Sequence, residues 1–364
     1  MENYDLDNFE PAARIVVIGV GGAGNNAVNR MIDEDIGNVE FWVANTDKQA
    51  LSTSKALNRI VLGPDITGGL GAGGVPEIGE QAAEASADDI REIVKGANMV
   101  FIAAGMGGGT GTGAAPVVAR IAKDAGALVV AIVTRPFTFE GKNRVVHSID
   151  GLNKLKDVVD SIIVVSNDKL LMTSGNAPLS KAFLDSDNVL AQSVKTVVNL
   201  IMLPAVINLD FADVRSVLCN SGVAMIGFGT GTGPNRAKEA ATNAINSPLL
   251  EASISGARRA IVAVTCGINV SLFDAQDTVN LLIDASGHDV DVKFGVSIND
   301  QLNDEILVSV IASDFKDEIH FEDTGFTAQP TRENTQPAAP QQPEEPDENI
   351  NIEEEGILPG FLNS

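Results

Sequence analysis

The apolar positions of the first half fall into short continuous runs separated by helical patterns. Residues 14–20 (RIVVIGV), 41–47 (FWVANTD), 99–105 (MVFIAAG), 127–134 (ALVVAIVT) and 160–167 (DSIIVVSN) read as buried strands. Between them, residues 26–33, 76–97 and 113–126 carry apolar side chains at three- and four-residue spacing, which predicts helices. Residues 21–26 and 107–113 read as glycine turns joining strand to helix. Strands alternating with helices mean βαβ units and a mostly parallel sheet that takes ligands at the carboxyl ends of its strands.

From residue 179 to 203 the pattern predicts one long helix, stopped by Pro204. Beyond it the texture changes. Residues 257–268, 291–298 and 305–312 alternate and are rich in β-branched side chains, consistent with a second, smaller domain carrying a sheet. From about Thr324 the chain is rich in Pro, Gln and Glu and offers little to bury, so it is expected to be disordered. The expected organisation is a flexible segment over 1–12, a nucleotide-binding domain over 13–178, the central helix over 179–203 and a C-terminal domain over 204–316. A linker over 317–349 and a terminal peptide over 350–364 complete it.

Composition narrows the function. The 364 residues carry a formal charge of −24, which argues against nucleic acid and against adsorption to anionic lipid. Eight acids and one arginine fall between Thr324 and Ser364, so most of the charge belongs to the folded body. No apolar run reaches membrane-spanning length and the N-terminus is acidic, so a soluble, unexported protein is expected. Cys219 and Cys266 fit no metal spacing or disulfide framework, as suits a reducing cytoplasm. Three scattered histidines make a zinc site improbable.

The sequence from Gly19 to Gly24 (GVGGAG) follows a strand, opens a helix, and satisfies the GxGxxG dinucleotide pattern. Asp47, 23 residues on, stands near the place of a ribose-binding acid. An NAD-dependent oxidoreductase is therefore one reading, and a tight turn needing glycine only for packing is another. The second loop, GMGGGTGTG, changes the balance. It too runs from a strand to a helix N-terminus, where backbone N–H groups and the helix dipole bind anions. A dinucleotide fold needs one such loop; two can close around a di- or triphosphate. No Walker lysine is present, and no Lys or Arg occurs from Val100 to Ala119, so backbone dipoles and Mg²⁺ would neutralise the phosphates.

Four further features remain ambiguous by themselves. A third glycine stretch, residues 68–74, covers the same phosphates or is an ordinary loop. A fourth, residues 227–233, reads as a connection inside the second domain. Glu140 and Arg144, in a loop after the fourth strand, contact ribose, base or phosphate, or form a surface ion pair. Phe183 and Asp187, four apart on the long helix, stack on a base and accept from its edge, or are a buried ring and a solvated acid. Asp210 and Asp213 flank Phe211 and Ala212 beyond the far end of that helix. They are either helix N-caps or carboxylates that orient water for phosphoryl transfer. A helix of about 25 residues separates them from the nucleotide by roughly 37 Å. If they act on a nucleotide, it belongs to another copy stacked head to tail.

Taken together, GVGGAGNNAVNRMI, VEFWVANTD, GLGAGG, GMGGGTGTGAAP, PFTFEGKNR, SNDKLL, NLDFADVR and SPLLE stand in an order that resembles the FtsZ family of tubulin-like GTPases. The resemblance spans roughly residues 12–316. It implies an α/β fold with a Rossmann-like GTPase domain, a long central helix and a smaller α/β domain. It implies that Gly21, Gly22, Ala23, Gly24, Asn25 and Asn26, with Ala72, Gly73, Gly108, Gly109, Thr110 and Gly111, hold the phosphates and ribose of GTP or GDP. Glu140 and Arg144 would contact the nucleotide, and Asn26, Phe183 and Asp187 the guanine. Asn208, Asp210 and Asp213 would complete the catalytic site of the neighbouring subunit. The family further implies Mg²⁺, a head-to-tail homopolymer at the mid-cell division ring of a bacterial cytoplasm, and a C-terminal peptide recruited by membrane-tethering and regulatory division proteins. Here that peptide would be Ile357, Leu358, Pro359, Phe361 and Leu362. Ala23 stands where the family often has glycine, and the basic residue that often follows the peptide is absent.

Overall fold

A computed structural model describes residues 13–174, 178–202, 205–247, 254, 256–286, 290–315 and 321. All of them belong to one compact unit. The first half opens with β1 (Ile15–Val20), α1 (Gly21–Asp33), β2 (Glu40–Asn45), α2 (Lys48–Ser52), β3 (Asn58–Val61) and α3 (Pro64–Thr67). It continues through α4 (Pro76–Ala85), α5 (Ala87–Val94), β4 (Met99–Gly105), α6 (Thr110–Asp124), β5 (Leu128–Arg135), α7 (Lys142–Lys156), β6 (Ser161–Ser166) and α8 (Asn167–Ser174). The central helix α9 (Leu179–Met202) leads to α10 (Phe211–Leu218), β7 (Gly222–Gly231), α11 (Arg236–Ile245), β8 (Ala257–Cys266), α12 (Leu272–Ser286), β9 (Asp291–Ile298) and β10 (Ile306–Phe315).

The ten strands form one sheet in the order β3-β2-β1-β4-β5-β6-β7-β10-β8-β9. From β3 to β7 every pairing is parallel. β10 lies antiparallel between β7 and β8. Both faces of the parallel part are covered, as its continuous apolar runs demand. One face packs Val16, Ile18, Val100, Ile102 and Val129 against α4, α5 and α6; the other packs Val17, Phe101, Val130 and Ile163 against α1 and α9. The second domain's sheet is thus continuous with the first. β7 pairs with β6 only over Gly222–Ala224 and with β10 over Met225–Gly231.

Several elements differ from the sequence reading, each for a packing reason. The helix expected at residue 26 starts at Gly21, and the one expected at 113 starts at Thr110. Glycine hides a helix onset because its intrinsic helix propensity is low. It is required inside α6 by close approach: a Cβ on Gly111 would lie 2.5 Å from the Gly105 carbonyl oxygen, and one on Gly113 1.9 Å from that of Pro76. The single helix expected over 76–97 is broken at Ser86, whose hydroxyl accepts from the Gly63 N–H at 3.0 Å. The loop expected over 135–144 holds a 3₁₀ turn (Thr138–Glu140) and the start of α7. Residues 227–233 are mostly strand. Cβ atoms on Gly227, Gly229 and Gly231 would strike the carbonyls of Ala244, Ala240 and Arg236 at 2.3, 2.1 and 2.1 Å. The alternate glycines therefore form a bare stripe on which α11 lies, with its contacts spaced by four.

Candidate nucleotide site

The first two glycine loops leave the carboxyl ends of β1 and β4, which are neighbours in the sheet. The order 3-2-1-4-5-6 reverses direction between them, and ligands of doubly wound sheets bind at that switch point. The loops touch. Gly21, at φ +74°, leaves no room for a side chain because its Cβ would lie 2.8 Å from the Gly111 nitrogen. A Cβ on Gly24 would lie 2.2 Å from the Ala103 carbonyl oxygen, whereas Cβ atoms on Gly22 and Gly108 would meet nothing within 4 Å. Two glycines thus serve packing and two face open space.

Both helices begin without a capping side chain or an acid in the first turn. By contrast α2 and α10 are capped by Asp47 and Asp210. The first-turn amides of α1 and α6 are left for an anion, and the dipoles of both helices favour one. Asn25 is buried, its carboxamide spanning the Gly19 and Gly21 carbonyls at 3.0 and 2.9 Å and meeting Asn45 at 3.2 Å, so it holds the first loop in shape. Thr46 and Thr110 hydroxyls bond at 2.7 Å, and the Thr112 hydroxyl accepts from the Gly107 N–H at 2.8 Å. The third glycine stretch joins them: Ala72 is buried, and a Cβ on Gly109 would fall 2.8 Å from its methyl. Gly73 stands in open space beside it.

Arg144 and Glu140 approach from the next strand end. The Arg144 carbonyl backs Gly107, whose Cβ would lie 2.7 Å away. Glu140 accepts from the Phe137 N–H at 2.9 Å and pairs with the Arg144 guanidinium at 2.5 Å. Buried Phe137 stacks on Phe139 at 4.9 Å and meets Phe183 edge-on at 5.1 Å. Phe183 keeps 40% of its surface exposed, enough to offer a face to a base. Asp187 follows one turn later. Burial pushes its carboxyl up to about 7, against the pull of Arg30 on α1. Arg30 lies one turn beyond Asn26, which is exposed. The sequence reading missed Arg30, Thr46, Thr138 and Asp168, although Asp168 stands within the SNDKLL run.

Asn208, Asp210 and Asp213 stand at the other end of α9. The 24 residues of that helix span about 36 Å, and Phe183 and Asp187 lie in its first two turns and a half. Within this chain the acids form a capping box. The Asp213 N–H donates to Asp210 at 2.8 Å, and the Asp210 N–H donates to Asp213 at 3.3 Å. Asn208 accepts from the Ala205 N–H at 2.6 Å. Ile207 is bridged to Val296 of β9, which fixes the segment to the sheet edge. Ile357, Leu358, Pro359, Phe361 and Leu362 lie outside the described residues.

The donor set fits a polyphosphate held by backbone amides. Among the described residues no three His, Cys, Asp or Glu side chains converge on one point, so a Mg²⁺ would depend on phosphate oxygens for most of its ligands. A groove of about 970 Å³ lined by Arg14, Ile36, Phe41 and Leu57 opens at the opposite, amino-terminal edge, away from both loops. The acid whose spacing suggested an NAD ribose contact, Asp47, caps α2, its Oδ1 accepting from the Gln49 and Ala50 amides at 2.8 and 3.3 Å. Among the described residues no helix is long and apolar enough to cross a membrane.

Residues 14–175 match the Tubulin/FtsZ family GTPase domain, and residues 222–316 match the FtsZ family C-terminal domain. The chain is similar to the empty FtsZ dimer structure of M. jannaschii, with 42% identity and a TM-score of 0.82, covering 88% of this chain and 95% of that one. It also shares its fold with CetZ2 from Haloferax volcanii, solved as a GTPγS-bound protofilament, at 22% identity and a TM-score of 0.71, covering 82% and 92% of the two chains. No comparison supports the oxidoreductase reading. With two glycine loops at the switch point of the sheet and both family domains in register along it, this chain belongs to the FtsZ branch of the tubulin-like GTPases.

Proposed function

We propose that the protein binds GTP with Mg²⁺ in the cradle of the two glycine loops and hydrolyses it only after stacking head to tail into a filament. The observation that carries this reading is the separation of the cradle from Asp210 and Asp213 by the length of α9. A second copy placed end to end brings its own Asn208, Asp210 and Asp213 over the γ-phosphate. There the carboxylates orient a water for in-line attack and take up its proton. Gly21 to Gly24, Ala72, Gly73 and Gly108 to Gly111 hold the phosphates. Glu140 and Arg144 meet the ribose, while Asn26, Phe183 and Asp187 meet the guanine.

Exposed apolar side chains lie at both ends of such a stack. Ile66 and Val75 flank the third glycine stretch, Leu70 lies within it at 89% exposure, and Phe139 adjoins Glu140. Val206, Ile268 and Ile298 lie at one edge of the sheet, since Ile298 is in register with Cys266 and Val206 bonds to Val296. Phe273, at the start of α12, is 78% exposed. Two such unlike patches make a heterologous contact that repeats without closing. The same reading places the filament at the division ring of a bacterial cytoplasm, tethered through the peptide from Ile357 to Leu362.

Light scattering and phosphate release followed together after adding GTP and Mg²⁺ test it. Both should rise faster than linearly with protein concentration near a threshold. Release that stays linear down to isolated monomers, or binding of NADH in place of GTP, defeats the reading.

A further inference from the structure

The dipeptide Asn167–Asp168 opens α8 at the carboxyl end of β6, and the site as described gives it no task. Its two side chains point to different walls of that site. The Asp168 carboxylate grips Thr138 twice: Oδ1 accepts from the Thr138 N–H at 3.0 Å and Oδ2 from its hydroxyl at 2.6 Å. Thr138 begins the 3₁₀ turn that carries Glu140. The buried Asn167 side chain accepts at Oδ1 from the Ser186 hydroxyl at 2.7 Å. Ser186 is also buried; it precedes Asp187 and follows Phe183 by three residues. At that end β6 is held by its pairing with β5, which runs to Arg135 and Ser166. From it, one residue holds the wall with Glu140 and its neighbour holds the wall with Phe183 and Asp187.

We propose that Asp168 is a positioning residue that fixes Glu140 against the sugar, and so sets the preference of the site for ribonucleotides over deoxyribonucleotides. The proposal rests on the reading of Glu140 as a ribose contact. A carboxylate with two hydrogen bonds to one residue is a stronger and more directional tie than a neutral pair. The turn is also closed by local bonds, such as Glu140 N–H to the Phe137 carbonyl at 2.9 Å, and by the packing of buried Phe137 on Phe183, but among the described contacts only Asp168 holds Thr138 from another element. Without Asp168 the turn can tilt, and Glu140 loses aim without losing charge.

The test measures the affinity of the full-length protein for GTP and for 2′,3′-dideoxy-GTP, beside the thermal midpoint of the nucleotide-free protein. Asp168→Ala is expected to cut the preference for GTP about tenfold, equivalent to about 1.4 kcal/mol. Its midpoint should fall by no more than about 3 °C, because the lost bonds are at the surface. Asp168→Asn keeps one acceptor and should retain much of the preference; Thr138→Val, which removes only the hydroxyl, should fall between. Glu140→Ala is measured in parallel. If it abolishes the preference while Asp168→Ala and Thr138→Val leave it whole, the proposal is wrong and the reading of Glu140 stands. If Glu140→Ala leaves the preference intact, both fall. Equal weakening of the two nucleotides with a large drop in midpoint would make Asp168 a mere brace, and that also overturns the proposal.

Discussion

Asp187→Asn should make the nucleotide-free protein more stable while making the site worse. Burial lifts the Asp187 carboxyl from its usual 3.8 to about 7, with Arg30 opposing the rise. An acid whose folded pKa is raised binds more protons folded than unfolded, so its ionisation costs stability as pH climbs. That cost is absent below about pH 4, grows up to about pH 7 and is constant above it. The full displacement corresponds to a ceiling of about 4 kcal/mol. Asp187 keeps some contact with water, so the gain for the isosteric amide at pH 8 should fall somewhat below that ceiling. Between pH 6 and pH 8 the gain should increase by about 1 kcal/mol. Urea unfolding of both proteins at several pH values, without nucleotide, reads this directly. A difference that is flat with pH, or an amide variant that is less stable, would show that the burial argument is wrong. Binding supplies the counterpart. If guanine N–H groups bond the ionised carboxylate, GTP affinity of the parent should improve from pH 6 to 8 and that of the amide variant should not.

Asp213→Ala should bind GTP as the parent does but release no phosphate, and it should lose about 1 kcal/mol of stability with the capping box it closes, measured by filter binding, phosphate assay and unfolding. Gly24→Ala should fail to fold or lose more than about 3 kcal/mol, since its methyl lands on the Ala103 carbonyl; Gly22→Ala should fold normally yet bind GTP poorly. Circular dichroism and nucleotide binding separate those two outcomes. Phe273→Glu should raise the threshold for GTP-driven light scattering at least roughly tenfold, because burying a charge in place of a phenyl ring reverses the contact's contribution. Nucleotide binding by the monomer should be untouched.

The parallel half was legible because its strands are buried on both faces and therefore read as unbroken apolar runs. The end of α9 was legible too, because Pro204 cannot continue a helix. The onset of α6 and the length of β7 were not, and for one reason. Whether a glycine marks a turn or a close approach depends on the partner element, and Gly113, Gly227 and Gly229 owe their identity to atoms distant in the chain. Asp47 shows the same limit for chemistry. Its spacing matched a ribose acid, but the local need to cap α2 claimed the carboxylate. The cradle, Glu140, Arg144, Phe183 and Asp187 were readable as a set only because several weak signals shared one order. The clamp by Asp168 joins residues 30 apart, and no periodicity carries that information.

The seam between β6 and β7 has a mechanical meaning. Three registered residue pairs hold the halves of the sheet together there, whereas seven hold β7 to β10. Gly222, at φ +67°, starts the seam and needs no side-chain room. Among the named strand pairings this line has the fewest registered pairs, and α9 packs on α1 and on β5, one strand away. If a neighbouring copy loaded Asn208 or Asp210, α9 would carry that load toward Phe183 and Asp187, with the thinly paired seam beside it. Load at one end of the molecule and grip on a nucleotide at the other would then be the two arms of a single lever.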